Sequence, residues 1–270
     1  MKINTRFAEK ILTKFIREEL GKFNYTKGIL GISGGLDSSV CVFLAAKALK
    51  PENVIGMIMP YGDASKEDVE DAELIIKQTG IRSHNIDISP MVDSYYRQCP
   101  TDSKLLKGNK MARERMSILY DFSEREKALI LGTSNKTELL LGYGTIHGDM
   151  ACALNPLGDL YKTQVRQMAE HLRLPERIRK KIPSAGLWAG QTDEQELGLT
   201  YDLIDKILFL LVDKRKSPEE ITAAGFSEDN VNRIISLIKC SEFKRKMPPI
   251  AKLSQRTVGL DFLYSYDRDK

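Results

Sequence analysis

Apolar residues recur along this chain with two alternating signatures, and the alternation predicts its architecture. Over residues 4–20, Phe7, Ile11, Phe15 and Ile16 return at helical spacing, with Gly21 as the stop. The short apolar run Gly28-Ile29-Leu30 reads as a strand, and the periodic stretch over 38–49 as a helix that Pro51 breaks. Val54 to Met59 is continuously apolar, as expected of a strand buried on both faces. Pro60-Tyr61-Gly62-Asp63 predicts a turn. Ser65, with Asp68 three residues on, predicts the start of a helix ending at Gly80. A third strand is expected over 83–88, then a helix opened by Pro90 and a surface loop over 99–106. A helix over 109–125 leads to a fourth strand over 128–132, where Thr133-Ser134-Asn135 turns into a short helix. Residues 142–160 read as irregular, 161–172 as a helix and 182–200 as a loop. Beyond them Tyr201, Ile204, Leu208 and Leu211 stripe one helix, Ser217-Pro218 opens a second, and Val231, Ile234, Ile235 and Ile238 mark a third.

Strand alternating with helix predicts an α/β fold: a doubly wound, mostly parallel sheet flanked by helices, Rossmann-like, with a helical C-terminal region. The core sheet is expected over about 22–180 and the helical part over about 190–250. Such sheets bind ligands beyond the carboxyl ends of their strands. That rule draws residues 33–39, 60–63, Asp87 and Thr133 to one rim.

The chemistry concentrates in Gly31-Ile32-Ser33-Gly34-Gly35-Leu36-Asp37-Ser38-Ser39, between the first strand and its helix. Glycines there let the backbone turn sharply or approach a ligand, and the free N–H groups of a helix start suit an anion. Asp37 makes little sense beside bare phosphate but good sense if Mg²⁺ bridges it to phosphate. The Walker Lys is missing, so this is a different phosphate loop. The other totals change this picture little. With 270 residues, 42% hydrophobic and 29% charged, the chain has an ordinary soluble balance. A net charge of +4 is too mild to argue for nucleic acid. No apolar run approaches a membrane span or a signal peptide. The four cysteines have no metal or CxxC spacing, which suits thiols in a reducing cytoplasm.

Ser33-Gly34-Gly35-Leu36-Asp37-Ser38 resembles the pyrophosphate loop of the ATP pyrophosphatase group. Later stretches narrow the likeness to the NAD synthetase family, in order from about residue 5 to 250. They are residues 131–138, Asn155-Pro156-Leu157-Gly158-Asp159-Leu160-Tyr161-Lys162-Thr163, Pro183-Ser184-Ala185-Gly186-Leu187-Trp188 and residues 190–198. No glutaminase-like domain precedes the loop, so the resemblance implies the ammonia-dependent form as a single domain over 1–270. It implies that ATP adenylylates deamido-NAD⁺ with release of pyrophosphate, and that ammonia then displaces AMP to leave NAD⁺. It places ATP at Gly31, Ile32, Ser33, Gly34, Gly35, Leu36, Asp37, Ser38, Thr133, Lys162 and Ser184. It assigns Mg²⁺ to Asp37 and Glu138, and deamido-NAD⁺ to Arg113, Asp149, Phe243 and Lys244. Asp37, Asp149 and Lys162 become the catalytic residues, and a homodimer is implied, with deamido-NAD⁺ at the subunit interface.

Read by themselves, several of these residues keep a plainer role open. Asp37 or Thr133 could cap a helix, Asp149 could brace a turn, and Arg113 and Lys244 could be solvated charges. Lys162 has the wrong sign for the start of a helix, which favours function. The chain also departs from the commoner family pattern at Ile146, Ala153 and Phe243, all on the deamido-NAD⁺ side. Arg115 and His147 are the candidates to compensate. These departures keep a second reading open, an ATP pyrophosphatase-type ligase for another carboxylate, and a third, a silent nucleotide-binding protein.

Overall fold

The computed structural model describes residues 1–62, 66–184, 186, 188 and 190–259. Four strands, β1 (Lys27–Gly31), β2 (Val54–Ile58), β3 (Arg82–Asn85) and β4 (Ala128–Ile130), form one parallel sheet in the order β3-β2-β1-β4. Ile29 on β1 pairs with Ile55 on one side and Ile130 on the other. Successive side chains leave a strand on opposite faces. Leu30, Val54 and Ile58 therefore enter one core and Ile29, Ile55 and Met57 another.

The first face is covered by α1 (Thr5–Lys22), α2 (Leu36–Leu49), α3 (Lys66–Thr79), α7 (Lys162–His171) and α8 (Glu176–Lys180). The second is covered by α4 (Ser89–Gln98) and α5 (Lys104–Glu126). A third core unites α6 (Lys136–Leu141), α9 (Asp193–Leu197), α10 (Tyr201–Leu208), α11 (Pro218–Ala223) and α12 (Glu228–Cys240) around Tyr201, Ile204 and Val231. From β1 the chain winds out through β2 to β3, then returns to place β4 on the other flank of β1. That reversal opens a crevice at the carboxyl ends of β1 and β4.

Several boundaries differ from expectation for local reasons. α1 runs through Gly21, because the reversal that ends it falls on Asn24, at φ 61°. α5 starts five residues early, at Lys104, because the Ser103 hydroxyl accepts from Leu106 N. β3 is a short exposed edge, and the chain turns inward only after it, to bury Ile88. The helical stripe through Leu211 leaves α10 after Leu208 and continues as a π-helical turn to Asp213. α9 lies inside the expected loop, started by the Thr192 hydroxyl accepting from Gln195 N. Five residues are too few to display a period. Asp63 and Ser65 fall outside the described residues.

Candidate active site

β1 extends beyond Gly31 by one bond, Ile32 N to the Met57 carbonyl at 2.9 Å, and the chain then turns through Ser33, Gly34 and Gly35 into α2. Gly34 sits at φ +73°, and a Cβ there would lie 2.3 Å from the Asp68 carbonyl oxygen on α3. Glycine is required by conformation and by space together. The hydroxyls brace the turn: Ser33 and Ser38 Oγ are 3.0 Å apart, Gly35 N donates to Ser33 Oγ, and Ser39 Oγ donates to the Gly35 carbonyl at 2.7 Å. Gly35 holds the N-cap position, so Asp37 is a first-turn residue and not the cap.

Freed of capping, the Asp37 carboxylate faces the crevice. Its Oδ1 accepts from Asn135 Nδ2 at 2.9 Å and its Oδ2 from Lys162 Nζ at 2.5 Å. Lys162 Nζ also donates to Glu138 Oε1 at 3.1 Å. Asn135 and Glu138 form a capping box at the start of α6, which fixes Glu138 beside Asp37. The Lys162 side chain is 4% exposed and stands 5.0 Å over the Tyr201 ring. Burial alone would discharge it, but the charges of Asp37 and Glu138 outweigh burial and raise its pKa. Burial pushes the Glu138 carboxyl up; Lys162 counters this and Asp37 adds to it.

Two carboxylates side by side suit a hard divalent cation whose remaining ligands are water and phosphate oxygens. Among the described residues no third acidic, His or Cys side chain joins them. Asp37 and Glu138 therefore fit Mg²⁺ of the kind that arrives with a nucleotide.

A loop faces this centre across the crevice. Thr145 N donates to Asp149 Oδ1 at 2.8 Å, the bracing role that the sequence left open. Lys244 Nζ donates to the Gly142 and Gly144 carbonyls, both at 2.8 Å, so it is a docked side chain and not a solvated tail charge. Burial lowers its pKa. One cavity of about 620 Å³ joins the two sides. It brings together Gly31, Ile32, Ser33, Gly35, Leu36, Asp37, Ser38, Thr133, Glu138, Lys162, Ser184, Asp149 and Lys244.

Several expected positions lie off its wall, Ser39, Tyr61 and Gly62 of the expected rim among them. Gly34 backs onto α3 instead. Arg113 is exposed, with Nε donating to the Ile146 carbonyl at 3.2 Å. Phe243 is 62% exposed. Asp87, expected on the rim, turns aside to accept from Ser89 N and Oγ.

The wall also holds residues that motif reading did not single out. Lys181 Nζ is 2.7 Å from Asp68 Oδ1, 2.5 Å from the buried Asp71 Oδ2 and 3.4 Å from the Gly34 carbonyl, so it ties the phosphate loop to α3. Asp193, buried, accepts from both Tyr201 and Tyr143 hydroxyls. Asn135 carried a sequence signal, an Asn three residues before a Glu. Lys181 carried none, because its partners lie more than a hundred residues away.

A parallel sheet with a Gly-Ser loop at its switch point, two carboxylates and a buried lysine defines a nucleotide-activating α/β protein of the pyrophosphate-loop type. A family model described as NAD synthase matches residues 9–248, and the chain belongs to that family. It is 49% identical over 270 residues to an NH(3)-dependent NAD(+) synthetase of Trichlorobacter lovleyi, covering 100% of this chain and 99% of the relative. It is 48% identical to the protein of the same name from Pelodictyon phaeoclathratiforme, over 98% and 96% of the two chains. Among solved structures it is similar to the NH3-dependent NAD synthetase of Campylobacter jejuni, with a TM-score of 0.80 and 33% identity over 93% of this chain and 100% of that one. It is also similar to an NMN synthetase from Francisella tularensis, with a TM-score of 0.83 and 31% identity over 93% and 99%.

Proposed function

We propose that this chain is an ammonia-dependent NAD⁺ synthetase, which uses ATP to turn the nicotinate carboxylate of deamido-NAD⁺ into an amide. The observation that carries this is the convergence of Asp37, Glu138 and Lys162 beside the braced loop, on one cavity with Asp149 and Lys244. A carboxylate is a poor electrophile. Attack of its oxygen on the α-phosphorus of ATP forms an acyl-adenylate and expels pyrophosphate. Ammonia then adds to the acyl carbon, AMP leaves with the C–O bonding pair, and the surplus proton passes to solvent.

The loop N–H groups and Lys162 hold the β- and γ-phosphates, with Thr133 and Ser184 beside them, which exposes the α-phosphorus to the acceptor. Mg²⁺ held by Asp37 and Glu138 would neutralise charge on the departing pyrophosphate. Asp149 and Lys244 line the acceptor end, with Arg113 and Phe243 at its outer edge. The chain acts as one unit, sheet and C-terminal helices together, and as a homodimer. Four free cysteines, Cys41 among them fully buried, suit the cytoplasm. Among the described residues no helix is long and apolar enough to cross a membrane.

The test is an end-point assay with ATP, Mg²⁺, ammonium and deamido-NAD⁺. NAD⁺, AMP and pyrophosphate should appear in equal amounts, and glutamine should replace ammonium poorly. ADP and phosphate as products would sink the reading. A parallel reaction with the mononucleotide acid that would give NMN decides the acceptor's size.

A further inference from the structure

Arg115 is a cation in the cavity to which the proposed reaction has so far given no step. It lies on α5 one turn before Leu119, whose Cδ1 comes within 3.8 Å of the place a Cβ would take on Gly31. α5 runs directly into β4, so it descends along the sheet against the strand direction. One turn back from Leu119 is a rise of about 6 Å, which carries Arg115 past the end of β1 to the level of the phosphate loop. There its Nε donates to the Met59 carbonyl at 3.0 Å, just beyond β2. That bond fixes the plane of the guanidinium.

The two Nη groups donate to no described residue, and no described carboxylate pairs with them. Asp149 and Asp68 act on Arg115 only through space, and burial lowers its pKa. A guanidinium fixed at one edge, with its other donors vacant inside a cavity, is prepared for an anion that offers two oxygens, a carboxylate or a phosphoryl group. Its two acidic neighbours locate that anion. Asp68 belongs to the ATP side, since its carbonyl abuts Gly34 and its carboxylate pairs with Lys181. Asp149 belongs to the acceptor side.

We propose that Arg115 contacts the α-phosphoryl group of ATP and stabilises the charge it carries during transfer. The assignment rests on the reading under Proposed function. The bond formed joins the acceptor carboxylate oxygen to the α-phosphorus. The bond broken is that between the α-phosphorus and the oxygen bridging to the β-phosphate, and pyrophosphate leaves with the electron pair. No proton moves in this step. A guanidinium fork spans two non-bridging oxygens at once, whereas an ammonium meets them as a point charge.

The experiment compares wild type with Arg115→Gln and Arg115→Lys. Acceptor-dependent pyrophosphate release gives kcat and KM, and calorimetric titration gives Mg-ATP binding. Arg115→Gln is expected to lower kcat about 100-fold, the scale of one lost transition-state donor. KM for ATP and for the acceptor, and Mg-ATP affinity, should move less than about threefold. Arg115→Lys, which keeps the charge and guards against a folding failure, should recover about tenfold of that loss. Wild-type kcat in either variant overturns the proposal. So does a rise in KM for ATP alone, which would mean a grip on the resting nucleotide, or for the acceptor alone, which would mean a role in acceptor binding. Absence of pyrophosphate from the wild type would sink the functional reading itself, and Arg115's role with it.

Discussion

Asp37, Glu138 and Lys162 put two negative charges against one positive where little water reaches, and Glu138 carries the imbalance. Its pKa is raised from 4.5 by burial, with Lys162 opposing and Asp37 reinforcing. The sign follows from linkage. A carboxyl that holds its proton more tightly in the folded state stabilises the fold fully below the unfolded pKa, and that contribution is lost as pH rises through the folded pKa. Nucleotide-free protein should therefore lose stability from about pH 4.5 toward neutrality. Glu138→Gln should raise neutral-pH stability by on the order of 1 kcal/mol, or about 2 °C in melting temperature. The gain should vanish near pH 4.5, where the wild type is already protonated. Turnover with Mg-ATP should fall at least about 100-fold, because a neutral amide cannot balance the cation. Melting curves at several pH values decide this, and an equal wild-type decline in the variant would refute it. The same triad explains Lys162 at a helix start: two carboxylates overrule the small dipole penalty.

Two capping boxes separate local stability from function at the level of the helix. Ser217 opens α11 with Glu220, far from the cavity, and Asn135 opens α6 with Glu138 at its centre. Each cap satisfies backbone donors that the first turn leaves unpaired. Ser217→Ala should cost about 1 kcal/mol and leave turnover as in the wild type. Asn135→Ala should cost a similar amount or more, since Asn135 is fully buried. It should also lower turnover about tenfold or more, because the Nδ2 bond to Asp37 goes with it. Chemical denaturation beside steady-state rates separates the two. Equal activity in both variants would mean that α6 needs only a cap. The elements that sequence patterning located well are those with long apolar runs, such as α2 and β2. The short α8 and α9 escaped because their start signals are single residues and their partners lie elsewhere in the chain.

At the scale of the whole molecule, the apolar stripes of α1 and α5 divide between a buried part and an exposed part. α1 buries Ile16 and Leu20 in the core and leaves Phe7 and Ile11 exposed. α5 buries Met111, Met116 and Leu119 and leaves Leu105 and Leu106 exposed, with Met91 and Tyr95 of α4 also exposed. Leu105 also lines the cavity, so a second subunit seated there would close its acceptor end. Light scattering should give about twice the 30.5 kDa chain mass. Leu105→Asp with Leu106→Asp should yield a monomer with a raised acceptor KM and an unchanged KM for ATP. A wild type that runs only as a monomer would remove the homodimer.

The sequence by itself determined the strand–helix alternation, the parallel sheet and the phosphate loop, because each is written in a period or a local run of residue types. It also determined the family, since the motifs stand in order along the chain. Only the tertiary structure decided what each charge meets. It took the cap from Asp37, docked Lys244 on two carbonyls and turned Asp87 away. It also bound Lys181 to α3 and left one edge of Arg115 vacant. Those outcomes depend on contacts between residues distant in sequence, and no spacing along a chain encodes a distance across a fold. The loop that patterning located first supplies the grip on phosphate in the function proposed above. Asn135 and Lys162, which the fold carries to Asp37, and Glu138 on the same lysine are what would make it a reaction site.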